Sequence, residues 1–523
     1  MNRRLFLRNT LFGSTAAAVT PAVFLASCGV TDTGILDDIA LGEVGGLQVL
    51  VPDEFVNAFN DLTFKDAQSA SIEASKNLIT LKGINDTYCY GYGALQIWGP
   101  TLKIRTGQTA NISLENNMQD TTNVHFHGLT IPANSEDGID NFVAFQDSTN
   151  YNFTVNNRAG MYWYHPHYDK SAGKQVNIGL GGLFMVEDSE EDSLGLPTGS
   201  REIFIVMQDK RFNDSDTMFY GPSISEQMAG YFGETILING VHGPVKEVNT
   251  RIHRLRVINA STARIYNFGL THVNDLGATE DVGLNIIGSD GGLVPASSSV
   301  NSVLLAPGER VDILVDFSLM VPGTAEEPKL ITFKSKTFTG AGEFQGREAF
   351  DMMVFKVIGP VQTETFNIPG SLSSVPVLSE AGLNVRDIDV QNTGLTVDKA
   401  RQDPAHMHEI NSNDSAEGET YVSNVINFTV PAGSSEVWKI NNNNGNEPVA
   451  LHIYGVQCQI IERIGGRGNV KQWEKGWKDT ILALPGETVR VIVPFTNEPG
   501  KYYLTSTNLE MADSGMVNSF EIV

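Results

Sequence analysis

Val124-His125-Phe126-His127-Gly128 and Trp163-Tyr164-His165-Pro166-His167 are two His-x-His pairs set among apolar and aromatic residues. Side chains alternate between the two faces of a β-strand, so His125 and His127 are expected to point to the same side. His165 and His167 repeat that spacing. Four imidazoles brought to one place suit a copper or zinc ion. The two stretches therefore predict paired strands that carry a metal site, whereas a single such pair would indicate only ordinary polar surface.

Length and composition indicate several β-domains. A chain of 523 residues is too long for one hydrophobic core, and the usual domain size predicts about three. Its 51 glycines and 21 prolines, with many short β-branched runs, favour an all-β protein rich in turns. We predict three consecutive cupredoxin-like Greek-key β-sandwiches, over residues 70–190, 191–361 and 362–523.

The formal charge restricts the class of partner. A net charge of −25 argues against nucleic acid and anionic lipid surfaces, and it is compatible with a cation. After the N-terminus, no apolar run is long enough to cross a bilayer.

The N-terminus carries an export pattern over residues 1–28. Asn2-Arg3-Arg4-Leu5-Phe6-Leu7-Arg8 resembles a twin-arginine signal, and the apolar stretch Leu11–Ala26 follows it. Leu25-Ala26-Ser27-Cys28 resembles a lipobox, which predicts lipidation at Cys28; the alternative is a signal peptide with a chance cysteine. The predicted location is the bacterial cell envelope, facing the periplasm or the exterior. Residues 29–69 are then expected to form a tether with a short helix near Asp53–Asp61.

The mature chain keeps two cysteines, Cys89 and Cys458. They form a disulfide only if their Cα atoms lie close together, which sequence does not determine. We predict two buried, unpaired thiols.

The first His pair belongs to a longer family resemblance. His125-Phe126-His127-Gly128 and the run from Trp163 through Gly182 resemble the first two copper motifs of the multicopper oxidases, and the resemblance extends from about residue 70 to the end. In the second predicted domain, residues 191–361, the runs 235–240 and 304–312 resemble the family's middle domain, which carries no copper in that family. The same predicted domain contains His242, His253 and His272. Their spacing is not that of metal ligands, so they are expected to be surface or core histidines.

The resemblance implies that the blue-copper site is lost. In the family that site takes two histidines, a cysteine thiolate and usually a methionine; the matched positions of this chain are Val449, Ser506, Met511 and Met516. A serine hydroxyl stays protonated near neutral pH and does not replace a thiolate. We therefore expect apolar filling at these positions and no laccase-type reduction of dioxygen.

The resemblance also implies an incomplete three-copper cluster. His125, His127, His165, His167 and His452 occupy ligand positions, whereas Tyr454, Thr505 and Thr507 stand where the family has further histidines. Two interpretations remain open. One copper or zinc ion is held by three or four imidazoles, or the histidines form a hydrogen-bonded polar layer between the first and third domains.

Three further features have expected roles. Glu510 matches a carboxylate that lies near the cluster in the family and helps to deliver protons. Asp137 and Asp140 follow the first His pair in a turn-rich run and are expected to be solvated loop charges. His406-Met407-His408 has no partner motif beside it and is expected to form an exposed hairpin.

Two functional hypotheses follow. The first is an envelope lipoprotein that kept the scaffold and lost electron transfer, similar in kind to the copper-free FtsP branch of the family, with envelope or cell-division proteins as partners. The second is a copper-dependent oxidoreductase, or a periplasmic copper-binding protein, that uses the retained histidines.

Overall fold

β-Strands dominate the fold, which confirms the all-β prediction. The computed structural model describes residues 49, 54–81, 86–93, 97–132, 137–168, 170–215, 217–320, 328–341, 345–393, 403–412 and 425–523. The predicted export signal, Cys28 and residues 29–48 and 50–53 of the predicted tether lie outside these ranges. Within them, no helix combines the length and the apolar character that a membrane crossing requires.

The first sandwich is built from two sheets, with strand orders β4-β3-β6-β8 and β2-β5-β10-β9-β7. The described strands before residue 190 are β1 Asn57–Ala58, β2 Phe64–Asp66, β3 Ala70–Thr80, β4 Asp86–Tyr92, β5 Thr101–Arg105, β6 Thr109–Asn116, β7 His125–His127, β8 Ser148–Thr154, β9 Gly160–His165 and β10 Gly182–Glu187. Phe126, Tyr164 and Phe184 lie in the core between the sheets.

The helix predicted near Asp53–Asp61 is wrong. Over the described residues 54–61 the chain instead forms β1, which pairs in parallel with residues 244–245 of the second sandwich, and β2 then pairs with β5. So short a helix is marginal on its own, whereas pairing with an existing sheet supplies partners for the backbone groups.

The second sandwich follows the same plan. Its sheet orders are β13-β12-β11-β15-β21-β18-β19 and β1-β14-β23-β22-β16-β17, with β20 paired to β16. The strands are β11 Glu202–Lys210, β12 Thr235–Ile238, β13 Val241–His242, β14 Pro244–Val248, β15 Ile252–Asn259, β16 Tyr266–Val273, β17 Thr279–Val282, β18 Leu284–Ser289, β19 Gly292–Val300, β20 Val303–Leu305, β21 Arg310–Asp316, β22 Lys329–Ser335 and β23 Phe350–Val357.

The third sandwich has sheet orders β25-β24-β27-β31-β29 and β26-β33-β32-β28-β30. Its strands are β24 Asn384–Asn392, β25 His408–Ser412, β26 Phe428–Val430, β27 Ser435–Asn442, β28 Val449–Ile453, β29 Gln459–Ile464, β30 Thr480–Ala483, β31 Thr488–Pro494, β32 Gly500–Ser506 and β33 Val517–Ile522. A turn in which Gly455 adopts a φ of +64° separates β28 from β29. Cys458 lies just before β29, bridged to Lys478, so it does not share a strand with His452.

The helices are short and cover sandwich edges. The α-helices are α1 Ala172–Asn177, α2 Ser189–Ser193, α3 Ile224–Ala229 and α4 Leu509–Asp513, and single 3-10 turns span Ala67–Ser69, Gly199–Arg201, Phe317–Leu319, Pro404–His406 and Gln472–Glu474. The Asn508 side chain accepts the Met511 N–H and caps α4. Both α1 and α3 pack against α4, which places α4 where the three sandwiches approach one another.

Candidate metal centre

Strands β7 and β9 bring the first-sandwich histidines together. They pair antiparallel with His125 opposite His165 and His127 opposite Trp163. Ring nitrogens of His125, His127 and His165 lie within 4.8 Å of one another, and all three side chains are buried. The alternation of the two His-x-His pairs thus predicts this convergence for three of the four residues.

His167 lies to one side of the others. β9 ends at His165, since Pro166 has no N–H to donate to the ladder. The His167 N–H instead donates to Asn123 Oδ1 at 2.7 Å, and its Nε2 is 3.5 Å from Thr505 Oγ1. Burial lowers the pKa of His167 to about 4, so the ring is neutral at physiological pH.

His452 reaches this cluster from the third sandwich. On β28, Val449 and Leu451 face the core, so His452 points the opposite way. It lies opposite Thr480 of β30 and Thr505 of β32. A ligand atom from each of His127, His452 and Asp479 lies within 4.8 Å of the other two.

The central contact is between two imidazoles of different sandwiches. His125 Nε2 is 3.1 Å from His452 Nε2. Each outer nitrogen has an oxygen partner: His125 Nδ1 lies 2.7 Å from Asp137 Oδ1, and His452 Nδ1 lies 2.9 Å from the Asp479 carbonyl oxygen. A carboxylate or carbonyl that accepts the outer N–H is the usual partner of a metal-ligating histidine. In that tautomer both Nε2 lone pairs face each other, an arrangement that a cation or one shared proton must bridge.

Electrostatics disfavour extra protons on this pair. Burial and the neighbouring His167 lower the pKa of His125, while burial and His125 lower the pKa of His452 to about 3. Burial raises the pKa of Asp137 to about 7, and the Phe126 N–H opposes that shift. The imidazoles are therefore neutral, which is the protonation state that metal binding requires.

His127 and His165 extend the cluster. His165 Nε2 is 3.4 Å from His127 Nδ1, and the His127 and His452 rings stack with centroids 3.7 Å apart. On its other side, His127 Nε2 lies 2.9 Å from Thr480 Oγ1 and 3.1 Å from Asp479 Oδ1. The Tyr454 ring stacks on His125 at 3.8 Å. The Tyr454 ring thus closes the cluster on the His125 side.

A buried ion pair ties all three sandwiches to the cluster. Arg310 of β21 donates to Asp479 Oδ1 at 2.7 Å and to Oδ2 at 2.6 Å, and its Nε donates to the Met161 carbonyl at 2.9 Å. Lys478 next to it contacts Asp290 at 2.7 Å and Glu309 at 2.8 Å. The sequence patterns do not predict this network, although the charged pair Lys478-Asp479 stands directly before the apolar strand β30.

The expectation of solvated charges at Asp137 and Asp140 is wrong. Asp137 is buried against His125, and Asp140 Oδ2 accepts from Lys501 Nζ at 2.7 Å and from Tyr503 OH at 2.9 Å. Both partners of Asp140 lie on β32, so the loop after β7 is held by the third sandwich.

Of the positions matched to the blue-copper motif, Val449 and Ser506 lie on the other face of β28 and β32, whereas Met511 lies on α4 and Met516 follows that helix. Val449, Met511 and Met516 are buried in the apolar core of the third sandwich. Ser506 is also buried, and its Oγ accepts the Asn508 N–H at 3.1 Å. Thr507 donates to the Ala450 carbonyl at 3.3 Å. Apolar packing and local hydrogen bonds thus account for all of these side chains.

The two cysteines and Glu510 are buried, and burial raises the pKa of each. Cys89 and Cys458 are buried and unpaired, as predicted, and burial raises the pKa of both thiols, that of Cys89 to about 12. Burial raises the pKa of Glu510 to about 7. Its carboxylate accepts from Tyr220 OH at 3.1 Å and from the Tyr231 N–H at 3.3 Å.

The exposed hairpin predicted over residues 406–408 is wrong at His408. His406 is partly exposed beside Asp403, but His408 is buried at the start of β25. Ile410, on the same face two residues later, packs in the third core, so the strand turns His408 inward.

Comparisons with known proteins cover most of the chain. Two family models, both described as multicopper oxidase, match residues 79–191 and 391–523. The laccase of Bacillus subtilis (strain 168) is 28% identical over 504 residues, which cover 83% of this chain and 90% of the laccase. Cell division protein FtsP of Escherichia coli (strain K12) is 28% identical over 427 residues, which cover 80% and 82%. The crystal structure of the McoA multicopper oxidase from Aquifex aeolicus matches with a TM-score of 0.77 and 28% identity, over 89% of this chain and 99% of McoA.

Proposed function

This chain belongs to the multicopper oxidase family, and from that premise we propose that it is a member without laccase-type oxidase activity. It acts in the bacterial cell envelope, anchored through a lipid on Cys28, in a structural or cell-division support role. Its retained histidines hold one metal ion between the first and third sandwiches.

The proposal rests on Ser506, which stands at the position matched to the copper-binding cysteine of the family. A blue-copper centre needs a thiolate, and Ser506 offers a hydroxyl whose oxygen already accepts a backbone N–H. Val449 and Met511 supply apolar packing in place of imidazoles. Cys458 does not compensate, because burial keeps its thiol protonated. A full four-copper complement therefore does not fit these residues.

A single ion does fit the interface histidines. His125 and His452 present their Nε2 atoms to each other at 3.1 Å, with an oxygen behind each outer nitrogen. His165 and His127 lie beside them. Copper bound there supplies a Lewis-acid and one-electron centre, and zinc supplies only the former. The chain's own residues orient the rings, exclude water and keep the imidazoles neutral.

The support role rests on the likeness to FtsP, a cell division protein of Escherichia coli. The second candidate is a copper-dependent oxidoreductase or periplasmic copper-binding protein; the convergence of four imidazoles favours it. In both cases the metal also links two sandwiches, so its binding is expected to stabilise the fold.

Metal analysis tests this centre. Purified wild-type protein is expected to contain a copper or zinc ion that the His125→Ala/His165→Ala variant loses, because imidazoles are the main donors at the interface. His253→Ala removes a buried histidine on β15 of the second sandwich and is expected to leave the metal content unchanged. Equal metal content in the wild type and the double variant would support the hydrogen-bonded polar layer instead.

A further inference from the structure

A surface pocket lies where the first and second sandwiches meet. It has a volume of about 410 Å³, which is in the usual size range of small-ligand sites, and such sites occur preferentially at domain interfaces. The walls come from β2, β5 and β10 of the first sandwich, from α2, and from β11 and β15 of the second sandwich. The residues that line this pocket are distinct from those of the candidate metal centre.

The apolar part of the lining contains two aromatic rings in contact. Phe64 and Phe204 pack edge to face, with ring centroids 5.6 Å apart. Phe64 lies on β2 and Phe204 on β11, so each sandwich contributes one ring. Phe64 is 50% exposed, and Met185 and Leu196 also line the pocket. A half-exposed aromatic ring in a pocket wall offers a contact surface to a second ring.

The charged part of the lining consists mostly of close ion pairs. Each carboxylate that lines the pocket has a basic partner at 2.8 Å or less: Glu187 with Lys103 at 2.6 Å, Asp192 with Arg105 at 2.6 Å, Glu191 with Arg254 at 2.8 Å, and Glu202 with Arg256 at 2.7 Å. A carboxylate that already holds a close cation attracts a second one only weakly. The acidic residues of the lining therefore do not favour a cationic ligand.

Arg201 is the cation of the lining whose contacts are long. Among the described residues, its Nη1 lies 3.5 Å from the Ile252 carbonyl oxygen and 3.9 Å from Glu364 Oε2. That carboxylate has closer partners, because it accepts the N–H groups of Ile252 at 2.6 Å and of Phe366 at 2.8 Å. A guanidinium carries five N–H donors in a rigid fork that matches a carboxylate. Arg201 therefore keeps N–H donors for an anion in the pocket.

We propose that this pocket binds a small aromatic carboxylate, whose carboxylate group pairs with Arg201 and whose ring packs on Phe64. The charge of the ligand follows from the lining, where the acids hold close cations and Arg201 does not hold a close acid. Its aromatic character follows from the paired rings of Phe64 and Phe204. Because both sandwiches line the pocket, the bound ligand is expected to stabilise the fold.

Binding of cinnamate to the full chain, measured by saturation-transfer NMR and titration, tests the proposal. Cinnamate is expected to bind, whereas cinnamylammonium, which has the same ring and the opposite charge, is expected to bind at least about tenfold more weakly. Arg201→Gln is expected to weaken cinnamate binding by more than about tenfold, because it removes a charge-assisted, bidentate partner. Arg347→Gln removes an exposed arginine outside the pocket and is expected to leave the affinity unchanged.

A second pair of variants tests the aromatic wall. Phe64→Ala is expected to weaken cinnamate binding by about threefold or more, whereas Phe219→Ala, which removes an equally exposed ring outside the pocket, is expected to leave it unchanged. Circular dichroism checks that each variant is folded, and Arg201→Lys, which keeps the charge but not the fork, replaces Arg201→Gln if that variant does not fold. No binding of cinnamate, equal binding of cinnamylammonium, or an affinity indifferent to Arg201 would each overturn the proposal. An affinity indifferent to Phe64 would overturn its aromatic part.

Discussion

Asp479→Asn is expected to lower the free energy of unfolding by about 3–5 kcal/mol. The Arg310 guanidinium is fully buried and holds both Asp479 oxygens at 2.6–2.7 Å. Burial alone would raise the pKa of Asp479, but Arg310 lowers it well below its usual range, so the carboxylate stays ionised. Without the carboxylate, a buried cation loses its counter-charge, and His127 loses an oxygen partner.

Chemical denaturation measures this change. Glu462→Gln is the matched control, because it removes a carboxylate from the exposed Arg490–Glu462 pair and is expected to cost no more than about 1 kcal/mol. If Asp479→Asn were as mild as this control, the buried network would not hold the three sandwiches together.

Glu191→Gln is expected to destabilise the protein by about 3 kcal/mol near neutral pH. Glu191 of α2 accepts from Arg254 Nη2 at 2.8 Å and from Arg256 Nη2 at 2.8 Å, and so joins the segment after the first sandwich to β15. Burial raises the pKa of Glu191, but Arg256 and Arg254 outweigh it and lower the pKa to about 2.

The sign of this shift fixes the pH window. The folded pKa is below the usual value of 4.5, so the stabilisation is fully present above about pH 4.5 and is lost as the pH falls towards 2. Unfolding curves of the wild type and Glu191→Gln should therefore converge in acid. Asp192→Asn removes the neighbouring, exposed carboxylate and should have a much smaller effect at every pH. A constant gap between wild type and Glu191→Gln would contradict the ion-pair explanation.

Alternation along strands explains what the sequence predicts well. On β28 it places Val449 in the third core and His452 at the interface. On β32 it does the same for Ser506 and Thr505: Thr505 is 3.5 Å from His167, while Ser506 lies opposite Leu451 of the core. Residues for the two kinds of copper site thus lie on opposite faces of the same two strands, and such local periodicity is visible without a structure.

Long-range neighbours explain what the sequence does not predict. Asp137 looks like a loop charge until β28 brings His452 across from His125, 327 residues away in sequence. His408 looks exposed because its backbone partner, Ser514, comes only after strands β26 to β32 in the sequence. Whether a polar residue is buried depends on which distant segments pack over it. The spacing of motifs and the composition of the chain do not predict those contacts.

The most direct test of the central claim is the visible spectrum of the full chain purified after expression with copper, followed by an assay with a phenolic dye. With Ser506 in place of a thiolate, the protein is expected to lack the intense blue absorption of a copper–cysteine bond and to leave the dye unoxidised. Blue absorption together with dye oxidation would contradict the account, since both require a thiolate-bound copper that these residues do not provide.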